Sequence, residues 1–164
     1  MGAVRLLAAS VLFAGCTADL DAPRTPAELD RVYFDCKVQP VLAMYCGQLA
    51  CHGDPARYFR VYSRNRLRDG GDETQRNVFM RDTERAHNYE AARAFVDLER
   101  PEASLLLRKP LEQAAGGAFH RGATLYGGGN VFRDTADPDY QTIARWINGA
   151  TEDPTTCIEP GSTL

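Results

Sequence analysis

A chain of 164 residues, 44% hydrophobic and 25% charged, is long enough for one domain with a true core, since folding at this size buries roughly 70% of the unfolded chain's surface. Its formal charge is -3 and its lysines and arginines form no single basic block. That balance excludes nucleic acid as a partner, because such binding needs clustered cations to displace counterions.

The chain opens with "MGAVRLLAASVLFAGC". One cation (Arg5), an apolar run and small residues before Cys16 make a signal-peptide pattern. The run is too short to span a bilayer, which takes about 20 residues. The ending "LFAGC" is similar to the lipobox of bacterial lipoproteins. That likeness implies a signal over residues 1–15, lipidation at Cys16, and a location in the bacterial cell envelope. Thr17 in place of aspartate points to the outer membrane, facing the periplasm or the exterior. The simpler alternative is a cleaved secretory signal without lipid. Residues 16–24 are polar and contain proline, and read as a tether. Export takes the remaining cysteines (Cys36, Cys46, Cys51 and Cys157) into an oxidising space, where three pairings are open to them.

The folded domain is expected over residues 25–164, mostly α with long irregular loops. Thr25, Pro26 and Glu28 predict a helix start with a capping box. Leu29, Val32, Tyr33 and Cys36 follow at helical spacing. Pro40 predicts the start of a second helix that ends at Cys46. Residues 57–63 are read as a strand or merely extended, and 68–74 as a turn. A third helix is predicted from Glu84 to Val96, capped by Thr83. Residues 101–111 predict a short helical segment stopped by Pro110, and 116–132 an irregular glycine-rich run. The closing helix is the clearest. Asp137 caps it, Pro138 is its first residue, Gly149 ends it, and Tyr140, Ile143, Trp146, Ile147 and Ala150 line one face.

Between the second and third helices lies "CGQLACH" (46–52). Two cysteines followed at once by a histidine suit covalent attachment of haem. Cys46 and Cys51 would supply the thioethers and His52 the proximal iron ligand. The usual spacing is C-x-x-C-H; here two more residues intervene. Three other chemistries fit the same residues. A Cys46–Cys51 disulfide would close a very short loop, worth about 2 kcal/mol in the chain-entropy model. Structural zinc needs four ligands, and this stretch supplies three. A cysteine nucleophile has no recognisable partner pattern.

Four segments together resemble planctomycete-type cytochrome c domains: "VQPVLAMYCGQLACHGD" (38–54), "ASLLLRKPL" (103–111), "FHRGATLYGGGNVF" (119–132) and "DPDYQTIARWINGA" (137–150). The resemblance spans about residues 32–150 in the family's order. It implies a class I-like cytochrome c fold whose first and last helices cross beside one covalent haem c per chain. It implies an electron carrier rather than an enzyme, with an unidentified redox partner protein and membrane attachment through the lipid. It also places a histidine where the family brings up its distal ligand, which makes His120 the favoured sixth ligand. Met80 is the second choice and His87 the third; Met44 lies too close to Cys46 to reach the other face. Val41, Leu42, Tyr45, Trp146 and Ile147 are candidate haem walls. By analogy the Pro55 carbonyl would hold the His52 ring, and Arg108 and Lys109 are candidate propionate contacts. If the first and last helices cross, Cys36 and Cys157 come near each other, and a disulfide stands against two free thiols. Two other functions remain open: a haem-free lipoprotein interaction module stapled by Cys46–Cys51 and Cys36–Cys157, and a haem-based sensor or ligand binder with a vacant sixth site.

Overall fold

The structure is a computed structural model that describes residues 28–71, 76–120 and 130–157. Cys16, the signal over 1–15, the tether over 16–24, and Thr25 and Pro26 lie outside them. Among the described residues the chain is mostly helical and contains no strand, only an isolated parallel bridge between Leu111 and Phe132. No helix among them is long and apolar enough to cross a membrane.

The first helix runs without a break over residues 31–46, as α turns alternating with two wider π turns, Phe34–Val38 and Leu42–Cys46. It differs from the sequence reading at both of its expected starts. Asp30, not Thr25, caps it: the Asp30 carboxylate accepts from the Tyr33 N–H at 2.5 Å, and Glu28 and Leu29 lie outside the helix. Pro40 sits inside the helix instead of opening a second one. A proline ring clashes with the carbonyl four residues back and offers no N–H. The π turn just before Pro40, closed by the Gln39 N–H onto the Phe34 carbonyl, widens the helix there and accommodates the ring.

The middle helix, Asp82–Arg93, starts two residues before the expected Glu84 and stops short of Val96. Its start is set by Glu84, whose carboxylate accepts from the Arg81 N–H at 2.8 Å. The same buried carboxylate takes two hydrogen bonds from Arg68, both at 2.9 Å, and one from the Asp69 N–H at 2.8 Å. Arg68 in turn donates to the Val78 and Phe79 carbonyls, each at 3.0 Å. This network binds the irregular loop between the first two helices to the middle helix.

After the short segments Pro101–Ala103 and Leu105–Arg108 comes the closing helix, Pro138–Ile147. Asp137 caps it by accepting from Asp139 and Tyr140, and Gly149 ends it at φ 87°. Its apolar face packs on the first π turn. Phe34, Tyr89 and Trp146 meet there with ring centres 5.0–5.9 Å apart. The three helices share this core, where each large apolar side chain contributes about 1.5–3 kcal/mol on burial. Two hydrogen bonds tie it to the start of the first helix: Trp146 Nε1 donates to the Asp30 carbonyl, and the Tyr89 hydroxyl to the Leu29 carbonyl. A disulfide joins Cys36 to Cys157 with Cα atoms 5.5 Å apart. Closing a loop of 121 residues in this way contributes about 4–5 kcal/mol in the chain-entropy model.

Candidate functional site

The first helix delivers Cys46 at its last position. The Gly47 N–H closes the final wide turn on the Leu42 carbonyl at 2.9 Å. Arg66 donates to the Ala43 and Met44 carbonyls, supplying positive charge where the helix end is negative. Residues 47–50 then fold into a tight reversal. Cys51 and Gly53 donate to the Gln48 carbonyl at 2.8 and 2.9 Å, and the His52 N–H returns to the Cys46 carbonyl at 3.0 Å. The two additional residues between the cysteines are thus absorbed in a turn that returns the His52 backbone to that of Cys46. Gly53 permits the closure. A Cβ there would lie 2.3 Å from the Gly47 carbonyl oxygen, closer than any side chain can approach. The sequence reading passed over this glycine, although its place directly after the histidine was the available signal.

Cys46 and Cys51 are both free thiols, half-buried. Burial, reinforced by the neighbouring Cys51, pushes the Cys46 thiol up to about 12. At neutral pH Cys46 is therefore a protonated thiol, the opposite of an activated nucleophile.

His52 Nδ1 lies 2.7 Å from the Phe59 carbonyl. A carbonyl only accepts, so Nδ1 carries the proton and Nε2 presents a lone pair. The expected partner was the Pro55 carbonyl; that group instead receives Arg60 at 3.4 Å. The loop over residues 53–61 turns further than a short local contact requires, and it brings Phe59 to the ring. The Phe59 side chain also packs edge-on against His52, ring centres 4.8 Å apart, and continues to Phe95 at 5.2 Å. Burial holds His52 below the usual histidine range and Arg57 adds to this, against the pull of the Phe59 carbonyl. His52 is neutral at pH 7.

His120 comes to the same place from the other end of the chain. Gly116 turns the backbone at φ 94°, and Gly117 passes so close to the Leu111 carbonyl that a Cβ would overlap it. The Gly117 N–H donates to Glu112 at 3.0 Å, the Ala118 N–H to Arg108 at 2.7 Å, and Lys109 Nζ to the Phe119 carbonyl at 2.9 Å. These bonds set His120 beside His52, with ring centres 5.9 Å apart and planes 19° from parallel. Burial, then the competing His52 ring and the Lys109 charge, hold His120 below the usual histidine range. The Lys109 backbone pulls the other way, and the buried His120 Nδ1 has no hydrogen-bond partner among the described residues.

The other sequence candidates are placed elsewhere. Met80 Sδ accepts from Gln39 Nε2 at 3.4 Å, beside the first helix. His87 packs against Tyr62 with ring centres 4.9 Å apart. Neither shares a contact with His52 among those found. Of the expected walls, Val41, Leu42, Trp146 and Ile147 are buried by protein in the helix core, so a further group has little of their surface left to cover. Tyr45 is half-buried against Phe132. Apolar surface stays open next to the site itself: Leu49 between the cysteines is 57% exposed, and Phe119 beside His120 is 65% exposed. Lys109 is engaged with the Phe119 carbonyl, and Arg108 is exposed. Among the described residues no group of three or more His, Cys, Asp or Glu side chains is arranged to hold a metal ion by itself.

Two imidazoles bound to one metal through facing nitrogens put their ring centres about 6.3 Å apart. Each metal–nitrogen bond is about 2.0–2.1 Å, and a ring built from bonds of about 1.33 Å has its atoms about 1.1 Å from its centre. The observed 5.9 Å is within a few tenths of that value. Offset stacking of two rings falls in a similar range, so the proton on His52 Nδ1 carries more weight than the separation. Scanned against protein-family models, curated proteins and solved structures, the chain matches none.

Proposed function

We propose that the chain is a monohaem c-type cytochrome, a single-electron carrier of class I-like fold, anchored by lipid at Cys16 outside the cytoplasm. The observation that carries this reading is the convergence of two free thiols, Cys46 and Cys51, with two neutral imidazoles, His52 and His120. The residues present fit a haem held through both sulfurs and both rings. Bound there, haem supplies an iron that changes oxidation state by one electron.

The chain's own residues account for the rest. The reversal over 47–50 returns the backbone of the proposed proximal histidine to that of Cys46. The Phe59 carbonyl fixes the His52 tautomer and its ring plane, which is how an outer hydrogen bond orients a metal-bound imidazole. The bonds to the Glu112 and Arg108 carbonyls and from Lys109 hold the backbone leading to His120. With histidine rather than methionine as second ligand, the potential lies below that of a histidine–methionine pair. The redox partner is a protein still to be identified, and the envelope location rests on the sequence of residues 1–17.

A haem-free module stapled by two disulfides is the rival from another class. It has the Cys36–Cys157 bridge in its favour, but that bridge is equally at home in a cytochrome. The free Cys46 and Cys51, Cys46 held as a thiol by its burial, favour haem. A vacant-site sensor is less well supported, because His120 already stands next to His52.

The test is the full chain exported and matured with a cytochrome c assembly system. Its intact mass should rise by one haem, and its reduced-minus-oxidised spectrum should show a low-spin c-type signal. Cys46→Ser and Cys51→Ser should each remove a thioether. A colourless product with Cys46 bonded to Cys51 would falsify the reading.

A further inference from the structure

The fold gathers positive charge at the site of a chain whose formal charge is -3. The segments that build the site, 44–63 and 105–120, carry Arg57, Arg60, Arg108 and Lys109 against Asp54 and Glu112 alone. Arg57 is the charged side chain that acts on the His52 ring, and Lys109 acts on His120; among the described residues no carboxylate offsets either. Elsewhere Lys37, Arg85, Arg93 and Arg100 are each ion-paired. At the site Arg57 has Asp54 at 3.7 Å. Among the described residues Arg60, Arg108 and Lys109 have no carboxylate partner. Arg60 donates to the Pro55 carbonyl and Lys109 to the Phe119 carbonyl. A neutral carbonyl satisfies an N–H and leaves the charge uncompensated.

The loop that holds His52 also presents an aromatic side chain to solvent. Tyr58 is 97% exposed, although its loop is tied down. Phe59 beside it packs against both His52 and Phe95. The Ala56 and Arg57 N–H groups donate to Asp54 at 2.9 and 3.1 Å, and the Val61 N–H to the His52 carbonyl at 2.7 Å. A tyrosine offered on a held loop loses little freedom when a partner covers it. Tyrosine and arginine are the side chains on which protein interfaces most depend. A small anion would use the cations alone; a protein uses the tyrosine as well. The Phe59 carbonyl that accepts from His52 Nδ1 is one residue from Tyr58. A partner seated on Tyr58 is thus joined to the imidazole through a peptide unit and one hydrogen bond.

We propose that an acidic redox protein docks on this face, with Tyr58 entering an apolar recess of the partner and Arg60, Arg108 and Lys109 meeting its carboxylates. The proposal rests on the haem reading for the single electron exchanged, and on the chain's own surface for the docking. Calorimetric titration of the matured full chain with oxidised flavodoxin, an acidic redox protein, tests it. One-to-one binding is expected at an ionic strength of about 10 mM, weakening about tenfold by about 150 mM as the charges are screened. Tyr58→Ser, at a position with almost nothing packed on it, should fold as the parent does and bind about tenfold more weakly. Arg60→Gln and Arg108→Gln should each weaken binding about threefold. Arg145→Gln removes the same charge from an exposed position on the closing helix and should leave binding unchanged. Intact mass of the same sample reports haem, so failure of the haem reading and failure of docking are seen separately. A haem-loaded chain that gives no saturable heat, parent-like binding by Tyr58→Ser, or equal weakening by Arg145→Gln and Arg60→Gln overturns the proposal.

Discussion

The indole N–H of Trp146 donates to the backbone carbonyl of Asp30 at 2.8 Å, across 116 residues of chain. The bond joins the closing helix to the residue that caps the first helix. Trp146 is fully buried against Phe34 and Tyr89, so one side chain both fills the crossing of the helices and fixes its register. Trp146→Phe keeps an aromatic ring but removes the donor and part of the volume. It should cost about 1–3 kcal/mol in denaturant unfolding, and Trp146→Ala about 3–5 kcal/mol. Parent-like stability in the phenylalanine variant would show that the hydrogen bond contributes nothing to the crossing.

Glu84 predicts a pH dependence. Burial alone would raise its carboxyl, but the hydrogen bonds from Arg68, Asp69 and Arg81 hold it below the ordinary value of 4.5. A group depressed on folding stabilises the protein above its unfolded value. That stabilisation is lost as pH falls through the lower, folded value. Glu84→Gln leaves Arg68 buried without its counter-charge and should cost about 3–5 kcal/mol at pH 7. The gap between parent and variant should narrow as urea unfolding is repeated at pH values descending below 4.5. A gap independent of pH would mean that the Glu84 charge has no part in the network.

How much of this could be read from residues alone depended on range. The closing helix was legible because its signals are local: Asp137 before Pro138, an apolar face at helical spacing, and Gly149 in a left-handed turn. The first helix was misjudged because Pro40 is a local start signal, and the π turn that accommodates it leaves no mark in the sequence. The Arg68–Glu84 network was missed because its partners are 16 residues apart in irregular chain. The same holds at the site. Cys46, Cys51 and His52 form a contiguous motif. The Phe59 carbonyl that orients His52 is set by a loop with no periodicity. The candidate walls shared the helix faces of the core, and helical spacing does not distinguish a surface facing other helices from one facing a cofactor.

The cysteines predict an outcome for reductants. With Cys36–Cys157 as the one disulfide among the described cysteines, Cys157→Ser should lower stability by about 4–5 kcal/mol in the chain-entropy model. Reduction of the parent should cause the same loss, and a thiol reductant should have no further effect on the variant. A residual response in Cys157→Ser would reveal a second reducible bond, and Cys46–Cys51 would be the place to look for it.

His120 can be tested apart from the thioethers. If the chain carries haem as proposed, His120→Ala should convert the low-spin spectrum of the matured protein to one with an open sixth position. His120→Met should raise the midpoint potential, because methionine opposite histidine favours the reduced iron. The thioether-linked mass should be unchanged in both. A low-spin spectrum identical to the parent's in His120→Ala would remove His120 from the iron and direct attention to Met80.

Gly53 gives the sharpest test of how the chain tolerates its long cysteine spacing. The reversal closes only because nothing projects from Gly53 into the Gly47 and Gln48 carbonyls; an alanine Cβ would stand 2.3 and 2.9 Å from their oxygens. Backbone must move, and the backbone that moves carries Cys51 and His52. Gly53→Ala should cost about 1–3 kcal/mol, in the range of a forced overpacking, and should lower the fraction of chains that acquire haem. Gly149→Ala supplies the control. A Cβ there meets nothing within 4 Å, yet the residue sits at φ 87°, so alanine costs about 1–2 kcal/mol through backbone strain alone. The two variants thus lose comparable stability, but only the one at residue 53 disturbs the cysteine loop. Equal haem occupancy in both, read from intact mass, would show that the reversal over residues 47–50 does not govern attachment.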